Sequence, residues 1–289
     1  MKNLNFELSR LTKRTRQGSR ATQANRHSLL QKSANDLHDL GYKLNSAKNL
    51  KRKHIDALVT HWQGQGLAAN TLKNRLSALR WLSETLGKTG LLPAENRELG
   101  VSTIGSVRKD RAKLATAEQL AGLSDPHIGL AVRMQMAFGL RAEEALKLRP
   151  QLADRGSALH LQASWCKGGR ERAIPIETEY QRKLLDLAKV IAKDGSLIPS
   201  GRSYKQQRDR YYYQTRKVGL TNPHGLRHAY AQERYIEMTG FKPAALGGLR
   251  WHQLTDHQRL LDRNARHTIS RELGHNRIGV TNVYLGGAR

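Results

Sequence analysis

Cysteine is almost absent from this chain of 289 residues: Cys166 stands alone, so no internal disulfide framework can form. It precedes Lys167 in a run that reads as a strand, where a lone free cysteine is ordinarily a small packed residue. Long apolar runs are missing as well. Nothing approaches the roughly 20 residues that span a bilayer, and the opening MKNLNFELSRLTKRTRQ has no apolar core of signal-peptide length. The expectation is a soluble, cytoplasmic protein with no membrane partner. No Gly-rich phosphate loop ending in Lys-Ser or Lys-Thr occurs, and no set of His, Asp and Glu has metal-ligand spacing. Neither a metal nor a cofactor is therefore expected. Acidic residues are scarce: 24 Asp and Glu stand against 50 Lys and Arg, a formal charge of +26. That surplus points to a polyanionic partner. A ribosomal or membrane-surface protein would share it, so charge alone does not choose.

The surplus is spread along the chain. Residues 1–110 carry 20 basic and 8 acidic side chains (net +12), and the rest carry 30 and 16 (net +14). Basic residues interleave with apolar ones in both parts, so two folded, basic domains are expected, 1–110 and 114–289. Residues 1–25 read as a short helix or a basic arm. Helices follow over about 21–40 and around Ile55, Leu58, Val59 and Trp62. The clearest pattern is Leu72, Leu76, Leu79, Leu82 and Leu86, capped by Asn70 or Thr71 and stopped by Gly87. Its opposite face carries Lys73, Arg75 and Arg80, candidate phosphate contacts if that face meets a polyanion. Residues 88–113 lose the period and read as a linker.

Thr116 with Gln119 then forms a capping-box pattern. An apolar helix over 128–138 ends at Gly139, and another starts at Arg141. Around 158–176 the period changes. ALHLQASW and RAIPI read as two short strands, with CKGGRE and its Gly-Gly turn between them. Helices resume over 178–193, 203–218, 224–238 and 267–274. The fold class expected is mainly α, with one small β-hairpin in the second domain.

Four short motifs stand out against this background: GLRAEEALKL around Arg141, CKGGRERAIPI around Lys167, HGLRH at 224–228, and LGHNRIGVTNVYLG, in which Tyr284 lies nine positions after His275. Singly, an arginine among 50 basic residues or one tyrosine of nine says little. Their order and local contexts resemble the tyrosine recombinase (phage integrase and Xer-like) family. HGLRH is similar to that family's H-x-L-R-H box, GLRAEEA to its G-L-R-x-x-E-L box with Ala145 in place of Leu, and ELGH to its L-G-H box. The resemblance covers roughly 114–289. The N-terminal helices, ending in NTLKNRLSALRWL, are similar more loosely to the family's core-binding domain.

The resemblance implies a two-domain, C-shaped clamp on double-stranded DNA. It implies strand cleavage and rejoining through a 3′-phosphotyrosine, in the service of a mobile genetic element. Tyr284 would be the nucleophile. Arg141 and Arg227 would clamp the non-bridging oxygens, because a guanidinium holds two oxygens at once and stays charged. Lys167 would protonate the leaving 5′-oxygen. His224 and His275 would complete the catalytic set, with Glu144 orienting Arg141 and His228 in a packing or supporting role. Arg170 and Arg172 on the hairpin are further candidate DNA contacts. A homotetramer in the synaptic complex, a monomer off DNA, an accessory DNA-bending or directionality protein and a nucleoid-associated location are also implied.

Two departures from the family pattern matter. The stretch between Arg227 and His275 is long, and Trp251, Leu254, Leu260 and Leu261 are expected to pack it onto the domain rather than onto a neighbouring protomer. Only Leu285 to Arg289 follow Tyr284, so the docking segment common in the family must be replaced by another element or lie beyond Arg289. Two other readings remain: a type IB topoisomerase, disfavoured because such enzymes usually carry Lys where His224 stands, and a non-catalytic sequence-specific DNA-binding protein.

Overall fold

The structure, a computed structural model, describes residues 3–101, 110–275 and 277–287. It divides into two compact units, Met1–Gly105 and Ser106–Arg289. Part of the 88–113 linker expectation falls on 102–109, outside the described residues. The rest is corrected: Leu91, Leu99 and Val101 are buried in the core of the first unit, so the chain to Val101 belongs to it.

Among its described residues the first unit contains four α-helices: α1 (Asn3–Arg14), α2 (Arg20–Asp39), α3 (Arg52–Gly64) and α4 (Ala69–Thr85). Leu30, Leu37, Ile55, Leu58, Trp62, Leu76 and Leu79 form its core. Ser19 caps α2 by accepting from the Thr22 amide. Asn70 and Thr71 do not cap α4. They lie within its first turn, and Ala68 holds the cap position without a side-chain bond.

The basic face expected on α4 is only partly a surface. Arg75 is 5 % exposed. Its Nη1 donates to Asp36 Oδ2 at 3.1 Å, and its guanidinium lies 4.7 Å from the centre of the Trp62 ring. The Trp62 indole donates to the same carboxylate oxygen at 2.7 Å. The leucine stripe turns Arg75 inward, where burial is offset by an ion pair and an aromatic face. Arg80 is likewise occupied, donating to Asn96 Oδ1 at 2.6 Å. Lys73 alone of the three has no such partner among the described residues.

The second unit starts with α5 (Ala117–Ala121), capped by Thr116 with Gln119, and α6 (Pro126–Phe138). Helix α6 is central: Ile128, Ala131, Val132, Met134 and Phe138 are fully buried. Around it stand α7 (Ala142–Lys147), α8 (Pro150–Ala153), α9 (Glu179–Ala192), α10 (Tyr204–Lys217) and α11 (Gly225–Thr239). Helices α12 (Asp256–Glu272) and α13 (Asn282–Leu285) pack on α11 around a second apolar cluster that includes Tyr235, Ile269 and Tyr284.

Strands β1 (Ala158–Leu161) and β2 (Arg172–Pro175) form one antiparallel hairpin, with Leu159 opposite Ile174 and Leu161 opposite Arg172. They are shorter than ALHLQASW and RAIPI suggested, because Ala163–Trp165 coils into a 3-10 turn that buries Trp165. Side chains alternate along a strand. The register that buries Ile174 therefore buries Arg172 two residues away.

The long stretch before His275 is largely helix. Thr255 caps α12, which begins eleven residues earlier than the expected 267. Leu254 packs inward, Trp251 and Leu261 are half-buried, and Leu260 is 55 % exposed. Packing onto the domain thus accounts for most of the insertion, though not for Leu260. Among the described residues no helix is long and apolar enough to cross a membrane.

The Asp36 carboxylate serves two buried donors, and its removal strands the Arg75 charge. Asp36→Ala is expected to destabilise the protein by about 3 kcal/mol, the usual cost of breaking a buried pair. Chemical denaturation checks this, and a loss below about 1 kcal/mol, the scale of a surface pair, would contradict the assignment.

Candidate active site

Glu144, on the first turn of α7, is completely buried. A carboxylate in such a place must be fully paired. It accepts from the Arg141 amide at 2.8 Å and from Arg141 Nη1 at 2.6 Å. Arg172 reaches both of its oxygens, Nη2 at 2.6 Å and Nη1 at 3.2 Å. Arg227 Nη1 lies 3.7 Å away. Burial alone would raise the Glu144 pKa, but the Arg172 hydrogen bonds and the charges of Arg172, Arg141 and Arg227 outweigh it and hold the acid at about 2. Three guanidiniums around one carboxylate leave a local surplus of two positive charges.

Local sequence explains how the arginines converge. Gly139 ends α6 in the left-handed conformation, φ 60°. A side chain there would overlap the Tyr230 ring, so only glycine fits. The following Leu140 is fully buried, and Arg141 takes the N-cap position of α7. Arg227 is also fully buried. It donates Nη1 to the Gly139 carbonyl at 2.5 Å and Nη2 to the Leu273 carbonyl. Arg172 Nε donates to the Glu272 carbonyl at 2.7 Å. The guanidiniums thus satisfy carbonyls at the ends of α6 and α12 that have no partner within their helices. Burial and the charge of Arg141 depress the Arg227 pKa to about 10, which still leaves it charged at neutral pH.

Three histidines and the Tyr284 phenol share this space. Arg227 Nε lies 3.4 Å from Tyr284 Oη. The Tyr284 ring centre is 4.5 Å from that of His228, 5.6 Å from His275 and 6.3 Å from His224. His224 holds the N-cap position of α11 and is the most exposed of the three residues. Burial, then neighbouring positive charges, lowers all three imidazole pKa values, to about 4 for His228 and His275. All three are neutral at pH 7. His275 Nε2 lies 3.5 Å from Arg227 Nη2. A guanidinium only donates, so Nε2 is the acceptor and the imidazole proton sits on Nδ1.

Of the residues singled out in the sequence, Arg141, Glu144, His224, Arg227, His228, His275 and Tyr284 come together here. Lys167 does not. It is exposed in a turn closed by the Gly169 amide on the Cys166 carbonyl at 3.1 Å, and it makes no hydrogen bond or ion pair with a described residue. Arg170 is exposed in the same connection. Arg172 is corrected: its guanidinium faces Glu144, Cys166 and Glu272, so it is built into the site's support and is not free for a phosphate. Burial raises the Cys166 thiol pKa, which suits a packed role.

Several participants escaped the sequence reading. Gln232 Nε2 donates to the Tyr284 carbonyl at 3.1 Å. The Glu272 side chain accepts from Tyr230 Oη at 2.9 Å and from Arg234 Nη2 at 3.1 Å. Nothing about a glutamine in mid-helix marks it in a sequence. Glu272 does lie three residues before His275, inside the RELGH run. Among the described residues no group of three or more His, Cys, Asp or Glu could hold a metal ion.

Residues 1–92 match the family described as "Phage integrase, N-terminal", and residues 99–233 match that described as "Integrase". No curated protein sequence matches the chain. Among solved structures, a lambda integrase dimer bound to a COC′ core site is similar with a TM-score of 0.64 and 17 % identity, over 99 % of this chain and 77 % of that one. The XerH site-specific recombinase in its post-cleavage complex on palindromic difH substrate gives 0.61 and 16 %, over 97 % and 80 %. The Tn1549 transposon integrase in complex with transposon right end DNA gives 0.58 and 12 %, over 99 % and 95 %. At these identities the likeness is one of fold.

The depressed pKa values set an acid limit on stability. For each histidine the unfolded chain, near 6.5, binds its proton at higher pH than the folded one. Stability is therefore full above about pH 6.5 and falls as pH drops from there towards 4. Glu144 adds a second loss between about 4.5 and 2. Thermal midpoints measured across this range should show both limbs, with His228→Asn flattening the upper one. A midpoint unchanged from pH 6.5 to 4 would contradict the burial of neutral imidazoles.

Proposed function

This chain belongs to the tyrosine recombinase (phage integrase) family, and we propose that it cleaves and rejoins specific DNA sites with Tyr284 as the nucleophile. The observation that carries the reading is a phenol packed against a fully buried arginine and three neutral imidazoles, in a cluster with surplus positive charge.

In the reaction, the Tyr284 oxygen attacks the scissile phosphorus and gives up its proton to His275 Nε2, which is freed when Arg227 Nη2 turns from it to a non-bridging phosphate oxygen. The bond from phosphorus to the 5′-oxygen breaks, leaving DNA joined to the tyrosine through a 3′-phosphate. The transition state carries extra negative charge on the non-bridging oxygens. Arg141 and Arg227 answer it with donors whose positions are already set by Glu144 and by helix-end carbonyls, so little reorganisation is needed. The departing 5′-oxygen needs a proton. Lys167 is the candidate donor, carried in the exposed part, 167–171, of the ten-residue hairpin connection 162–171, which can close over bound DNA. Rejoining is the reverse: a 5′-hydroxyl attacks the phosphotyrosine and Tyr284 leaves. The bond energy stays in the protein–DNA linkage, so the cycle consumes no nucleotide.

The DNA-bound state of the solved lambda and XerH structures supports double-stranded DNA as the partner. A lambda integrase tetramer on a Holliday junction, similar at a TM-score of 0.59, supports a homotetrameric assembly for strand exchange. The transposon integrase supports a mobile element as the setting. Lys73 and Arg170, exposed or half-exposed and unpaired among the described residues, remain candidate phosphate contacts.

Arg141→Ala and Arg227→Ala should each slow cleavage of a nicked suicide duplex by about 10²–10³-fold, the effect of losing one preorganised donor. Tyr284→Phe should abolish cleavage. All three should keep DNA affinity within about threefold, because many other cations hold the backbone. Denaturing gels of reactions run in EDTA, beside filter binding at fixed salt, make the comparison. Wild-type cleavage rates in any of these variants would remove the assignment.

A further inference from the structure

Tyr284 sits on a helix of only four residues, Asn282–Leu285. One helical turn has little stability of its own, and its terminal carbonyls have no partner within it. The phenol is therefore placed by whatever holds this turn from outside. Helix α12 supplies one hold: Arg266 Nη1 donates to Asn282 Oδ1 at 3.0 Å and to the Gly286 carbonyl at 3.2 Å. Helix α11 supplies another through Gln232, whose Nε2 donates to the Tyr284 carbonyl at 3.1 Å.

The second hydrogen of that Gln232 amide goes to Asp110 Oδ1 at 2.7 Å. Asp110 opens the described part of the second unit, the stretch by which the chain enters it from the first. The same oxygen accepts from the Ala112 amide at 3.0 Å and bends the stretch. Three residues on, the Lys113 amide donates to the Gly225 carbonyl at 3.0 Å. Gly225 has no room for a side chain: a Cβ would lie 2.5 Å from Lys113 Cγ and 2.6 Å from the Arg111 carbonyl oxygen. The glycine of HGLRH is thus the seat on which residues 110–113 rest, at the foot of the helix that carries Arg227 and Gln232.

We infer that Gln232 is a positioning residue that joins this entry strap, through Asp110, to the backbone of Tyr284. Gln232 is 3 % exposed and both amide hydrogens are used. Asp110, by contrast, is exposed and pays little for its own burial, so its side chain is spent on fixing Gln232. A seated strap orients the Gln232 amide, and the oriented amide holds the nucleophile's turn. An unseated strap leaves the turn to the Arg266 hydrogen bonds and the apolar packing of Tyr284 and Leu285.

The inference rests on Tyr284 as the nucleophile, and its test separates the two. In the full chain, Asp110→Ala, Gln232→Ala, the double variant and Asp110→Asn are compared by amide hydrogen exchange over 281–287 and by single-turnover cleavage at saturating DNA. Asp110→Ala alters an exposed residue and keeps the fold even where Gln232→Ala does not. Each single alanine variant should speed exchange over 281–287 and slow cleavage about fivefold, the weight of one ordinary hydrogen bond. The double variant should go no further, since both residues act in one chain of bonds. Asp110→Asn keeps the accepting oxygen and should behave as wild type, with an unchanged thermal midpoint and DNA affinity. Unchanged exchange over 281–287 in Asp110→Ala, or losses that multiply in the double variant, would overturn the inference. If the wild type cleaves nothing, the reading of function fails, while exchange still decides whether the strap holds the turn.

Discussion

The second unit depends on one buried carboxylate. Glu144 has no contact with solvent, yet it stays ionised because Arg141, Arg172 and Arg227 surround it. Removing any two of those charges from water without a partner would be prohibitive. With the carboxylate between them they can be buried side by side and still leave a net positive pocket. The cost of this arrangement is high and its return in stability is small, which is the usual balance for a buried ion network. Its value lies in holding like charges close together where a phosphate would otherwise have to assemble them.

The carboxylate alone does not satisfy three guanidiniums, and the backbone supplies the rest. Carbonyls of Gly139, Glu272 and Leu273, at the ends of α6 and α12, accept the remaining donors. Arg172 and Arg227 therefore fix helix ends, and those helix ends fix them. The same helix ends deliver the other groups: Arg141 follows Gly139, and His275 follows Leu273. The neutral histidines follow from burial first and from neighbouring positive charge second, which together bring the pKa values of His228 and His275 down to about 4.

What the sequence reveals of this arrangement depends on how far each residue's neighbours lie along the chain. HGLRH and the run from His275 to Tyr284 are local patterns, and they do converge in space. The apolar stripes of α4 and α6 predict those helices because burial imposes a 3.6-residue period. Arg75 and Arg172 were misjudged for the opposite reason. Their carboxylate partners, Asp36 and Glu144, lie 39 and 28 residues away. Nothing local tells a buried, paired arginine from an exposed one. The first turns of α12 escaped notice because DHQRLLDRNARH is mostly polar, and its pattern emerges only against α11. Gln232 left no trace, since its two hydrogen bonds reach 122 residues back to Asp110 and 52 forward to Tyr284.

The most direct test of this account is to find which atom of the protein the DNA joins. Protein trapped on a nicked duplex in EDTA would be digested with protease and nuclease, and the nucleotide-bearing peptide sequenced by mass spectrometry. A single adduct, on Tyr284, is expected. Attachment at another side chain, such as Tyr230 or Tyr235, or complete absence of an adduct on DNA that the protein binds tightly, would contradict it.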